Sequence, residues 1–106
     1  MTIDEWLALR TPRPPDALEV RIRAVLGDAL HEEAGHVPEI FADAGERLVA
    51  ALLRSNSTSR NSALDLLTAD ALVTYAFEAA SADPDNIQRV ASSAMVRMST
   101  LGSEAP

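Results

Sequence analysis

Residues 62–80 read as a helix that is apolar on nearly every side, and this constrains the chain more than any other stretch. At about 100° per residue, Leu66, Val73 and Phe77 point one way, Leu64 and Tyr75 another, and Leu72 a third. Only the stripe of Asp70, Thr74 and Glu78 is left to face water. A surface helix needs only about a third of its circumference apolar. This one must be wrapped by neighbours, and a chain of 106 residues has few to offer. Either the short N-terminal helix carrying Trp6 covers the excess, or a second subunit does. The commonness of symmetric homodimers favours the second subunit.

The rest of the chain is helical in pattern, with no convincing period-2 strand. Thr2 and Glu5 have the spacing of a capping box for a first helix over about 3–10, with Ile3, Trp6 and Leu7 on one side. Thr11-Pro12-Arg13-Pro14-Pro15 stops it. A second helix begins near Pro15, with Leu18, Ile22, Val25 and Leu26 as its apolar face, and either Gly27 ends it or it runs on through Leu30. Residues 27–37 fit no single pattern. Pro38 opens a third helix to about Arg54. Its inner face carries Phe41, Gly45, Leu48, Val49 and Leu52, and the bare Gly45 would let another helix approach closely. Residues 55–61 form a polar turn with several candidate N-caps. The wrapped helix follows, with Ala69, Ala76 and Ala80 along one seam.

Asp83-Pro84 signals a last helix over about 84–101. Ile87, Val90, Ala91, Ala94, Met98 and Leu101 form its stripe, and Gly102 is a candidate stop. Met95 and Met98 are expected to fill core. The expected architecture is all-α: an up-down four-helix bundle with an additional short N-terminal helix, in one domain spanning 1–106.

Charge narrows the partners. The net charge is −7 and the chain contains no lysine. Residues 1–27 balance four carboxylates against four arginines. Residues 28–46 hold six carboxylates and no arginine, and residues 63–86 hold five with no basic residue. Such blocks repel phosphate backbones and anionic lipid, so neither nucleic acid nor a membrane surface is an expected partner. With no cysteine, thiolate metal sites, disulfides and cysteine nucleophiles are excluded. No apolar run reaches the roughly 18 residues of a membrane span. The acidic first residues lack a secretory n-region, and a soluble, cytoplasmic protein is expected.

Chemistry is sparse. There is no Gly-x-Ser-x-Gly elbow and no Gly-rich phosphate loop, so no enzyme activity and no cofactor are expected. In His31-Glu32-Glu33-Ala34-Gly35-His36, Glu33 and His36 stand at Glu-x-x-His spacing. Over those four residues the segment resembles a ferritin-like dimetal half-site, whose second copy a dimer could supply by symmetry. Gly35 and Pro38 interrupt the continuous helix that such a site uses, and the competing reading is a solvated acidic turn. Asp70 is either a buried acid of raised pKa or part of the water-facing stripe with Thr74 and Glu78. Asp65, near a helix start, is accounted for by the helix dipole.

The expected function is non-enzymatic association, as a homodimer or as an accessory subunit of a larger assembly. Leu66, Leu72, Val73, Tyr75 and Phe77 are the candidate interface or ligand residues. The alternatives are a small apolar ligand held between helices beside Tyr75 and Phe77, and a metal at Glu33 and His36.

Overall fold

The computed structural model describes residues 1–55, 59–82 and 84–104, and the side chains of these except 84–90 and 102–104. The described residues are almost all helical and contain no strand. Five α-helices follow one another: α1 Ile3–Ala8, α2 Asp16–Leu26, α3 Val37–Ser55, α4 Arg60–Ser81 and α5 Pro84–Glu104. Two 3₁₀ turns, Gly27–His31 and Ala34–His36, fill the stretch that has no clear periodicity.

The helix ends follow local chemistry. The Glu5 amide donates to Thr2 Oγ1 at 3.3 Å, and the Thr2 amide donates to Glu5 Oε1 at 3.0 Å, completing the capping box. The bonds from the Thr2 backbone and hydroxyl hold the Glu5 carboxyl below its ordinary range. α1 is shorter than the pattern suggests, closing at Ala8 with Leu9 as its C-cap. Pro15 is the N-cap of α2 and not its first helical residue. Gly27 ends α2 at φ +52°, a conformation open to glycine at little cost. Ser59 caps α4 by accepting from the Ser62 amide at 3.2 Å. Gly102 does not stop the last helix, which continues to Glu104. The expected cap at Asp83 and the stripe residues Ile87 and Val90 lie outside the described residues and side chains.

The most extensive packing joins α3 to α4, which run antiparallel: Gly45 lies against Ala69 to Val73, and Phe41 against Tyr75. A Cβ built on Gly45 would stand 2.9 Å from Val73 Cγ2, 3.3 Å from the Ala69 carbonyl oxygen and 3.7 Å from Leu72 Cβ. The bare backbone is what permits the approach. The buried face of α4 consists of Thr68, Ala69, Leu72, Ala76 and Ala80, so the small-residue seam is the seam in use. Thr68 is buried without cost to its hydroxyl, which donates to the Leu64 carbonyl at 2.8 Å. α5 packs on both α3 and α4, and α2 packs on α4.

The core is closed by α1. Ile3, Leu7, Ile22, Leu26, Val37, Phe41, Ala42, Leu72 and Ala76 form one buried cluster, with Trp6 and Tyr75 packed against it. Trp6 meets Phe41 edge-on at 5.7 Å between centroids and Tyr75 at 6.0 Å, geometry that suits the ring quadrupoles. The N-terminal helix therefore covers the Tyr75 side of α4. Backbone pairing fixes the segment further: the Ile3 amide donates to the Glu32 carbonyl and the Ala34 amide to the Met1 carbonyl, each at 2.9 Å.

Within the single chain α4 is not wrapped on every side: Leu66 and Leu67 stand 60% and 59% exposed. One expectation is corrected here. Met95 and Met98 do not fill core; Met95 is 72% exposed and Met98 also reaches solvent. Helical periodicity counts apolar residues but cannot count the neighbours available to bury them.

Candidate functional site

The five interface or ligand candidates on α4 do not form one site. Leu72 is fully buried in the core. Val73 is half-buried, its Cγ2 facing the Gly45 backbone. Tyr75 belongs to the aromatic cluster with Trp6 and Phe41. Phe77 is half-buried, and Leu66 faces solvent. Asp70, Thr74 and Glu78 are all exposed, which makes Asp70 a member of the hydrated stripe.

Glu33 and His36 bracket the second 3₁₀ turn, Glu33 as its N-cap, and both are exposed. Glu33 pairs with the Met1 amine at 3.5 Å. Among the described residues no three His, Asp or Glu side chains gather where they could hold an ion. A metal at Glu33 and His36 would take its remaining ligands from outside the described residues.

The structure brings together groups that spacing alone did not connect. Arg21 on α2 grips Asp65 on α4 through two hydrogen bonds, Nε to Oδ1 at 2.6 Å and Nη2 to Oδ2 at 3.3 Å. This bidentate pair, not the helix dipole alone, accounts for Asp65, and pairs of good geometry contribute up to about 1 kcal/mol. Arg10 pairs with Glu78, Arg13 with Glu19, and Arg23 with Asp4 and Glu19. The Arg13 guanidinium holds the Glu19 carboxyl below its usual range. All four arginines of residues 1–27 are thus engaged, two of them with the base-free acidic block of α4. The arginines of residues 1–27 and the base-free acidic block of residues 63–86 were the available signal; which residue meets which was not in the spacing.

Arg10 has a second set of contacts. Its guanidinium carbon lies over the Trp6 ring at 4.7 Å from the centroid and over Tyr75 at 5.3 Å. Its carboxylate partner Glu78 comes from the same helix as Tyr75, one turn further on.

Between α2, the first 3₁₀ turn and α3 lies a cleft of about 330 Å³. Its walls are mostly aliphatic, with Val25, Leu26 and Ala29 facing Ile40, Ala44 and Leu48. Asp43 and Arg47, paired at 2.9 Å, are its charged groups. Neither Tyr75 nor Phe77 lines it. No helix among the described residues is long and apolar enough to cross a membrane. Comparison with family models, curated proteins and solved structures finds no match to this chain.

Proposed function

We propose that this chain works by association, as a non-enzymatic homodimer built on an up-down bundle of α2, α3, α4 and α5 with α1 packed across it. The observation that carries this reading is the apolar surface of two helices that pack on each other. Leu66 and Leu67 are exposed on α4, and Met95, Val96 and Met98 on α5. Single exposed apolar residues are ordinary, but adjacent ones favour burial in an interface. A second copy is the simplest partner, since a two-fold interface uses one patch twice; an accessory place in a larger assembly would use the same surface.

Light scattering across a roughly hundredfold concentration range tests it directly, because association obeys mass action. The expected result is a rise from 11.3 kDa toward twice that mass. Leu66→Asp with Leu67→Asp should return the single-chain mass without altering the helical spectrum. A wild-type chain that keeps the single-chain mass throughout overturns the homodimer.

The cleft between α2 and α3 supports a second reading, the binding of a small apolar molecule. Its volume lies at the lower end of the range of about 300–1,000 Å³ usual for ligand pockets. Ala44→Phe would fill it, and should abolish binding of an apolar fluorescent probe such as anilinonaphthalene sulfonate. Unchanged probe binding in that variant removes the cleft from consideration.

A further inference from the structure

Arg10 follows the C-cap of α1 and is carried by the non-helical connector, not by a helix. Its planar cation is met by two aromatic faces, Trp6 and Tyr75, and by the Glu78 carboxylate. Each of the three surfaces attracts positive charge, and a flat guanidinium can stack on rings while its edge engages a carboxylate. The aromatic cluster does not need Arg10 for its own packing, because Trp6, Phe41 and Tyr75 already meet one another. The site is also reachable: the side chains of Arg10 and Glu78 are 31% and 45% exposed. Arg10 can therefore leave by rotation of its own side chain and the connector, with α1 intact.

We propose that Trp6, Tyr75 and Glu78 form a guanidinium-binding site, filled in cis by Arg10 and open to an arginine side chain of a basic peptide. A net charge of −7 favours a basic partner. Asp70, on the same exposed stripe of α4 as Glu78, extends the acidic surface beyond the pocket. The site is independent of self-association, and its failure would leave the dimer untouched.

Trp6 is the only tryptophan, so its fluorescence reports on the site. Arg10→Ala and Arg10→Gln, each checked by circular dichroism for an intact helical fold, are titrated with N-acetyl-arginine methylamide. Both should bind saturably at millimolar concentration. Wild-type protein should bind about twofold more weakly or worse, since its tethered Arg10 competes at an effective concentration of the same order. N-acetyl-lysine methylamide should bind the variants about tenfold more weakly than the arginine compound, because a compact ammonium forfeits the stacking. Adding Glu78→Gln to either Arg10 variant should abolish the response. A response that is linear in concentration for both Arg10 variants, equal for lysine, or indifferent to Glu78→Gln overturns the site. Tighter binding of free arginine than of the blocked compound overturns the peptide as its occupant.

Discussion

Replacing Phe41 with alanine should lower the stability of this protein by about 3–5 kcal/mol, the usual cost of deleting a fully buried phenylalanine. Phe41 has no exposed surface and is the largest of the fully buried side chains. It also meets both Trp6 and Tyr75, so its loss leaves a cavity and removes an edge-on contact to Trp6 and a tilted one to Tyr75. Those contacts join α1, α3 and α4 at a single point. Domains of this size are stable by about 5–15 kcal/mol in all, so the variant should be close to unfolding at physiological temperature. In urea the midpoint should fall while the slope stays constant. Leu53→Ala on the exposed side of the same helix should change stability by about 0.5 kcal/mol or less. Similar losses for the two variants would refute the assignment of Phe41 as the keystone of the core.

Substitution of Gly45 sets two opposite effects against each other. Alanine in a helix interior is preferred over glycine by about 1 kcal/mol. Here the added Cβ would collide with Val73 Cγ2 and press on the Ala69 carbonyl. A valine in a helix is confined largely to one rotamer, and a backbone carbonyl moves only if α4 moves. Overpacking of this kind costs about 1–3 kcal/mol, which exceeds the propensity gain, so Gly45→Ala should be destabilising. Gly45→Val adds two more methyl groups and gives up the propensity gain. It should cost about 3 kcal/mol or more and force α3 away from α4. The contact is specific enough to be repaired. Gly45→Ala combined with Val73→Ala should be more stable than the sum of the single effects implies, a coupling readable in a double-mutant cycle. A stabilising Gly45→Ala, or strict additivity, would show that the two helices are not in close contact at this point.

The elements of this fold were legible wherever a local rule decides them. The capping box at Thr2 and Glu5 and the alanine seam of α4 depend on residues a few positions apart, as does the end of α2 at Gly27, one of the two ends its pattern allows. Gly102 shows the limit of such rules. A glycine ends a helix when the chain beyond it needs a left-handed turn, as at Gly27, and α5 simply continues. The covering of Tyr75 was named only as one of two alternatives. Helical periodicity says that a face must be buried but does not say by what, and the commonness of symmetric homodimers weighs toward a second subunit. The same blindness put Met95 and Met98 inside.

Of the candidate site, the exposed acidic stripe of α4 was legible, because Asp70, Thr74 and Glu78 are spaced four apart. The guanidinium pocket was not. Its members come from two ends of the sequence, and only the charge imbalance of residues 1–27 against 63–86 hinted that they would meet.

The aromatic joint also sets a clock for biosynthesis. Trp6 leaves the ribosome long before Tyr75, and at about 5–20 residues per second the intervening stretch of about 70 residues takes roughly 3–14 s to make. For that interval Ile3, Trp6 and Leu7 have no α4 to close over. Helix α1 precedes α4 in the chain, and its packing is complete only when α4 arrives.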